Sequence, residues 1–262
     1  MPEGDTIHRT AATLERVLGG KVVRKLTSTV PSIAGAGLEG RRVERVVARG
    51  KSLLIHFDDG RAIHSHMRMT GSWHVYRPGE RWRKAPHRAR LVLETDELTA
   101  VCFAAPVLEV LRAGDEARHP TLATQGPDLL EDEFDAADAR RRLRARGAVP
   151  IGEAIVDQRA IAGIGNIYKS ESLFLCKLDP FTRVEQLADA DLDRLVDQAR
   201  ALMRANTGHP SRAARRAPGG GMWAYGRSGE RCYVCGDSIR MRRQGLAGRS
   251  TYFCPTCQLK AD

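Results

Sequence analysis

The chain has 262 residues and a formal net charge of +10, from 42 basic and 32 acidic side chains, with 42% hydrophobic and 28% charged residues. That length allows one large domain or two ordinary ones with buried cores, and the composition is too apolar for a disordered chain. No apolar run approaches the roughly eighteen residues of a membrane span, and the opening MPEGDTIHRT lacks the profile of a signal peptide, so the chain is expected to be neither membrane-spanning nor secreted.

In chain order, residues 5–18 are expected to form a helix. Ile7, Thr10/Ala11, Leu14 and Val17/Leu18 recur at helical spacing, Asp5 or Thr6 can cap the start, and Gly19-Gly20 stops it. A β-rich stretch follows, with KVVRKLTST, RRVERVVARG, KSLLIHF, RAIHSHM, GSWHVY, RARLVLE and LTAVCFA as short strands and Asp59-Gly60 as a hairpin turn. Many short strands at close spacing predict a sandwich or barrel. Beyond an acidic stretch the period changes to helical over residues 135–146, 150–158, 166–176 and 189–205, with Asp189 as the cap of the last. Residues 207–222, rich in Gly, Pro, Ser and Arg, are expected to be a mobile basic linker, and the last forty residues short strands between cysteines.

The positive excess points to an anionic partner, nucleic acid before anionic membrane. Arginine supplies 35 of the 42 basic residues, a bias that a GC-rich genome also produces. The distribution is more informative. Residues 41–90 carry a net +9, residues 209–262 a net +7, and residues 114–139 hold eight acidic side chains and one Arg. Two separated basic blocks are what a cleft gripping one polyanion from both sides needs, although two unrelated basic surfaces would give the same count.

Four of the six cysteines fall as Cys232-Tyr-Val-Cys235 and Cys254-Pro-Thr-Cys257. Two CxxC knuckles at this separation predict a closed tetrahedral site for one structural zinc ion, which supplies folding energy to a piece too small for its own core. Disulfides or a redox dithiol are the alternatives, and the lack of an export signal disfavours the former. Cys102 and Cys176 sit in apolar settings and are expected to be packing residues. Arg249 falls at or beside a hairpin tip between the knuckles, where a guanidinium suits bidentate phosphate contact as well as simple solubility. At the other end, Pro2 would present a free secondary amine once Met1 is removed, able to attack a sugar C1′ and form an iminium ion, with Glu3 beside it to move protons.

MPEGDT, RGKSLLIHF, SHMRMTGSW, VLEVLR, DQRAIAGIGNIYKSESLF and GRSTYFCPTCQ together resemble the formamidopyrimidine-DNA glycosylase/endonuclease VIII family, in order and over essentially the whole chain. The resemblance implies an α+β, two-domain fold: an N-terminal β-sandwich led by a helix, then a helix-two-turns-helix module with an antiparallel β zinc finger. The expected boundaries are a catalytic domain over 1–113, an acidic linker over 114–134, the helical DNA-binding domain with its basic linker over 135–222, and the zinc finger over 223–258. It also implies a base-excision-repair enzyme that flips out a damaged base, removes it through an N-terminal proline Schiff base and nicks the strand by β,δ-elimination. One structural zinc is implied, with no redox or nucleotide cofactor. The partner is damaged double-stranded DNA, with single-stranded DNA as an alternative. The chain is expected to act as a monomer in the bacterial cytoplasm, at the nucleoid.

Residue by residue, Pro2 matches the family's nucleophile, Glu3 its acid/base, Lys51 a lysine of the β-elimination step and Arg249 the arginine of phosphate binding and δ-elimination. Asn166 matches the phosphate-binding asparagine, in a turn where Gly163 and Gly165 allow close backbone approach. His66, His87 and Glu171 match positions near the DNA, and Arg68 and Met69 stand where the space left by the flipped nucleotide is filled. Two departures matter. The loop that carries an Arg and a Phe in the purine-specific branch is Ala104-Ala105-Pro106-Val107-Leu108-Glu109 here, and a lysine of that branch is replaced by Gly152. Both favour the endonuclease VIII branch and oxidised pyrimidines, although that branch's Gln-Leu-Tyr filler is also altered, to Arg68-Met69-Thr70. The rival readings are a purine-type enzyme acting on 8-oxoguanine or formamidopyrimidine, and a non-catalytic zinc-finger protein that only binds damaged DNA.

Overall fold

Helix α1 (Gly4–Leu18) starts two residues after Pro2 and turns Ile7, Ala11, Leu14 and Leu18 inward on one face. The helix is seen in a computed structural model that describes residues 2–209, 211–215 and 220–258. Its start is made by Glu3, whose extended backbone places its carbonyl to accept from Thr6 N (2.9 Å) and Ile7 N (3.1 Å). Neither Asp5 nor Thr6 is the cap, because both already lie inside the first turn. The chain divides into two compact units, Met1–Thr124 and Gln125–Asp262. Among the described residues no helix is long and apolar enough to cross a membrane.

In the first unit α1 is followed by β1 (Lys25–Ser28), the single turn α2 (Pro31–Ala34), β2 (Val43–Arg49), β3 (Ser52–Phe57), β4 (Ala62–His66), β5 (Ser72–Tyr76), β6 (Ala89–Glu94), β7 (Thr99–Phe103) and β8 (Val107–Leu111). They form two four-stranded antiparallel sheets, ordered β1-β6-β7-β5 and β2-β3-β4-β8. The inward residues of both, such as Ile55, Ile63, Leu91 and Leu93, share one core with the apolar face of α1. Trp73 of β5 donates to Ser65 Oγ of β4 (3.1 Å) and ties the sheets together. The expected turn is present: Gly60, at φ 81°, closes the link between β3 and β4.

All six residues of β3 are buried, because the outer face of its sheet is covered too. Leu122 lies over Leu54 and Leu111 there, beside Val47. His119 caps this contact with its proton position fixed. Its Nδ1 accepts from Thr121 N and Leu122 N (both 3.2 Å), so the proton sits on Nε2 and is donated to Glu109 Oε1 (3.2 Å). His64 Nδ1 donates to the same oxygen (2.9 Å), and its Nε2 faces Ser52 Oγ (2.9 Å). Burial pushes the Glu109 carboxyl up, but the two histidines outweigh it and hold the group below the ordinary glutamate range. The ligand atoms of His64, Glu109 and His119 lie within 4.8 Å of one another. They do not form a metal site, since a metal on His119 Nε2 would force a proton onto Nδ1 against two backbone N–H groups.

The second unit contains α3 (Ala136–Arg144), the single turn α4 (Ile151–Ala154), α5 (Asn166–Leu175), α6 (Asp189–Asn206), β9 (Arg240–Gln244) and β10 (Arg249–Phe253). Leu143, Ile155, Ile161, Tyr168, Leu195 and Met203 lie in its core. Asp135 caps α3 by accepting from Asp138 N (2.8 Å). The expected helix over 150–158 stops after one turn, where Asp157 and Gln158 take up backbone groups of a loop instead. Asp189 is not a cap either. It is the first helical residue of α6, and its carboxylate pairs with Arg144 (2.5 Å).

The stretch expected as an acidic linker is divided between the units. Leu122 is buried in the first and Leu129 in the second, so few of its residues merely connect. The basic linker is pinned where it is described: the Asn206 side chain bonds both the N–H and the C=O of Ala213, and Trp223 Nε1 donates to Ala214 O (3.3 Å). Residues 210 and 216–219 of that expected linker lie outside the described residues. If the outer layer contributes as its burial implies, Leu122→Ala will lower stability by about 2–4 kcal/mol, read as a fall in the urea midpoint; an unchanged midpoint would mean that this layer adds nothing.

Candidate functional site

Each unit carries part of the sequence-derived set. In the first, Pro2 is half-buried and directly precedes Glu3, which is 0% exposed at the start of α1. An amine at Pro2 would stand at the positive end of the helix dipole, which favours its unprotonated form. Lys51 occupies the second place of the two-residue turn between β2 and β3, closed by the Arg49–Ser52 pair. Gly50, at φ 58°, supplies the left-handed conformation such a hairpin needs.

His66 ends β4 opposite Ser52, next to that turn. Its Nδ1 accepts from Arg68 N (3.1 Å), which leaves Nε2–H as the donor. Burial first, and then the charges of Lys51, His64 and Arg68, depress its pKa to about 4. The imidazole is therefore neutral near pH 7 while its Nε2 proton remains to offer. Met67–Gly71 turn the chain sharply, with Arg68 at φ 44° and Gly71 N bonded to Met67 O (2.8 Å). A Cβ at Gly71 would sit 2.7 Å from Met67 O and 2.9 Å from Ala105 Cα, so only glycine fits. The turn holds Met69 out, 68% exposed. Beside it, β7 and β8 are joined by Ala104–Pro106 alone. Arg90 Nη1 donates to Ala105 O (2.6 Å) and Thr70 Oγ1 to Ala104 O (3.0 Å), fastening this short link. His87 is exposed in a single 3-10 turn, Pro86–Arg88. Cys102 is inert by burial, its thiol pushed up to about 12.

In the second unit Gly165 precedes and Asn166 begins α5. The preceding loop is held by Gln158, which donates to Val156 O and Ile164 O and accepts from Gly163 N (2.9, 3.0 and 3.0 Å). Gly163 needs its φ of 98° there. Asn166 Oδ1 is buried without a hydrogen-bond partner, an unusual state for an amide oxygen. Glu171 was expected among the DNA contacts, but it points into the module. Its carboxylate accepts from Trp223, Ala224 and Tyr225 N (2.7–2.9 Å), and burial keeps its pKa above the ordinary value despite those bonds.

Cys232, Cys235, Cys254 and Cys257 bring their sulfurs within 4.8 Å of one another. The Cys232–Cys257 and Cys235–Cys254 separations are 3.8 and 3.4 Å, too long for disulfides and close to the ~3.8 Å edge of a tetrahedron with ~2.3 Å metal–sulfur bonds. Val234 N and Cys257 N point at Cys232 and Cys254 sulfurs. The four thiols thus fit a zinc ion with no open position, a structural rather than a reactive metal. β9 and β10 follow within the module, and Arg249, exposed, begins β10 directly opposite Gln244. Two features escaped the sequence analysis: Gln158, visible only as a polar residue in DQRAIAGIGN, and the fully buried Lys169.

Residues 1–106 match the formamidopyrimidine-DNA glycosylase N-terminal domain, 125–212 its H2TH domain, and 229–259 the zinc finger found in FPG and IleRS. A "Probable endonuclease 8 2" of Streptomyces coelicolor is 42% identical, covering 98% of this chain and 94% of its own. The "DNA-(apurinic or apyrimidinic site) lyase Nei2" of Mycolicibacterium smegmatis is 38% identical over 98% and 99%. Among solved structures, Lactococcus lactis Fpg in complex with a DNA containing N7-benzyl-Fapy-dG is 25% identical, with a TM-score of 0.84 over 99% of this chain and 100% of that one.

The depressed His66 pKa has a defined consequence. Between pH 6.5 and about 4 the unfolded chain binds a proton at this position that the folded chain does not, so folding weakens as pH falls through that window. The loss due to His66 should reach on the order of 2 kcal/mol by pH 5. Urea titrations at pH 7 and pH 5 should show a smaller acid loss in His66→Gln than in the wild type; equal losses would show that the imidazole titrates normally.

Proposed function

The chain belongs to the formamidopyrimidine-DNA glycosylase/endonuclease VIII family of DNA-repair glycosylases and AP lyases, and on that premise we propose that it removes oxidised pyrimidines through Pro2 and nicks the strand by β,δ-elimination. The observation that carries this reading is the half-buried Pro2 placed directly before a fully buried Glu3 at the start of α1. Binding alone needs neither an amine nor a buried carboxyl at that point.

With Met1 removed, the Pro2 nitrogen bonds to C1′ of the damaged nucleotide and gives up its proton. The C1′–base bond breaks with its electron pair to the base, which leaves protonated. Glu3 supplies a proton to the ring oxygen as the C1′–O4′ bond opens, and the product is an iminium ion. That ion acidifies C2′: loss of its proton breaks the C3′–O3′ bond and frees the downstream 5′-phosphate. Loss of the C4′ proton then breaks the C5′–O5′ bond and leaves an upstream 3′-phosphate, and water finally releases the sugar remnant from Pro2. Lys51 is assigned to the first elimination and Arg249 to phosphate binding and the second. His66 Nε2–H, Asn166 and the N-terminus of α5 suit phosphate oxygens. His87 is assigned to the backbone near the lesion, and Met69, with Arg68, to the space the flipped base leaves. Zinc holds the finger and takes no part in bond changes.

Two features support pyrimidines over purines. The Ala104–Pro106 link offers no large side chain, and Gly152 has no room for one: a Cβ there would meet Gln244 Oε1 at 2.5 Å and Pro180 O at 2.9 Å. In a panel of duplexes carrying thymine glycol, dihydrouracil, 8-oxoguanine or an abasic site, borohydride should trap covalent complexes most efficiently with the oxidised pyrimidines and the abasic site. A clear preference for 8-oxoguanine would overturn the substrate assignment. Glu3→Gln should slow base removal by about 100-fold or more while incising a preformed abasic site far better than an intact lesion; unchanged base removal would take Glu3 out of the mechanism.

A further inference from the structure

Helix α5 turns three consecutive polar side chains into the second unit: Lys169 and Ser170 are 0% exposed and Glu171 1%. Glu171 holds the backbone at 223–225, and Ser170 Oγ accepts from Tyr252 N (3.2 Å). Lys169 is the unexpected member, because burying an ammonium is costly unless it has good acceptors. Its Nζ donates to Thr251 Oγ1 (2.7 Å), Thr251 Oγ1 donates to Gln244 Oε1 (2.9 Å), and Gln244 Nε2 donates to Pro180 O (2.9 Å). The chain of bonds runs from α5 through both strands of the hairpin to the loop after α5. Gly152 belongs to it as well, since any side chain there would displace the Gln244 amide.

The register of the hairpin shows what this chain of bonds grips. Gln244 is paired directly with Arg249, and Thr251 lies two residues beyond Arg249 on the same strand. Opposed residues, and residues two apart, share one face of an antiparallel ribbon. Arg249, Gln244 and Thr251 therefore lie on a single face, with the exposed guanidinium at its outer end and the two bonded side chains buried behind it. A two-stranded ribbon has no further strand to set its tilt, so these side-chain bonds orient the rung that carries Arg249.

We propose that Lys169, acting through Thr251 and Gln244, is a positioning residue for Arg249 and sets the efficiency of the second elimination. This rests on the assignment of Arg249 above. The test uses the full-length zinc-loaded protein and a 5′-labelled duplex with one abasic site, separating the unsaturated-aldehyde end left by β-elimination from the 3′-phosphate end left by δ-elimination. Thr251→Val keeps the shape and removes the hydroxyl, whereas Thr251→Ser keeps the hydroxyl.

The valine variant should form the first product and the borohydride-trapped complex within about two-fold of wild type, yet form the 3′-phosphate end at least five-fold more slowly. The serine variant should recover to within two-fold. Lys169→Met added to Thr251→Val should slow the second step no further, as for residues acting in one chain. Wild-type formation of the 3′-phosphate end by zinc-loaded Thr251→Val, or an additive effect of Lys169→Met, overturns the proposal. Should the valine variant lose its zinc, Gln244→Met gives the same decision through the same product ratio. Arg249→Ala separates the two levels: if it leaves the 3′-phosphate end unaffected, the Arg249 assignment fails and the proposal with it, whereas a slowed Arg249→Ala beside an unaffected Thr251→Val sinks the positioning chain alone.

Discussion

The proposed use of the chain's own terminal amine requires the most mobile point of a polypeptide to be held still. The first unit meets that constraint by burying α1. Ile7, Ala11, Leu14 and Leu18 lie in the core shared by the two sheets, so the residues immediately before the helix inherit the rigidity of the sandwich. Glu15 of the same helix accepts from Val46 N of β2, the edge strand of its sheet, which locks α1 to the sandwich laterally. Glu3 is buried and Pro2 half-buried as a result. The other features of the unit follow the same plan. Lys51 and Met69 are displayed on tight turns between consecutive strands, with Gly50 supplying a left-handed backbone in the first and Gly71 leaving no room for a side chain in the second, and His66 is fixed between them by its bond from Arg68 N.

The second unit solves a different problem, joining a zinc-held ribbon too small for its own core to a helical module. Apolar contact supplies part of the join, through Phe174, Ala224, Ile239 and the cysteines. The remainder is polar and directional. Lys169, Ser170 and Glu171 each bond a different part of the zinc-bearing segment, so the ribbon's position depends on hydrogen bonds that tolerate little displacement. The clamp on the first unit, in which two histidines serve one Glu109 oxygen, is built on the same principle.

Much of this was legible in the sequence wherever the signal is local. The spacing of Ile7, Ala11 and Leu14 marked α1, Asp59-Gly60 marked a hairpin, and two CxxC knuckles marked the metal site. What escaped depends on distant partners. Asp189 has the chemistry of a cap, but Arg144, far away in sequence, takes its carboxylate. Asp5 and Thr6 resemble caps, yet the backbone enters the helix earlier, at Glu3. Glu171 resembled a surface contact because its three partners lie more than fifty residues downstream. Helix α5 is buried on nearly every side, so no apolar stripe distinguishes its inward residues, and Lys169 gives no sign of burial. The linker composition at 207–222 predicted mobility, but among its described residues Ala213 and Ala214 are held by the Asn206 amide and the Trp223 indole.

The central claim is that the amine of Pro2 forms the covalent bond to the damaged sugar. Its most direct measurement is mass-spectrometric mapping of the borohydride-reduced complex with an abasic-site duplex, after protease and nuclease digestion. The account predicts the sugar remnant on a peptide that begins at Pro2, with fragment ions placing it on that residue and Met1 absent. A remnant on Lys51 or another lysine, or a trapped complex in which Met1 is still attached, would contradict it.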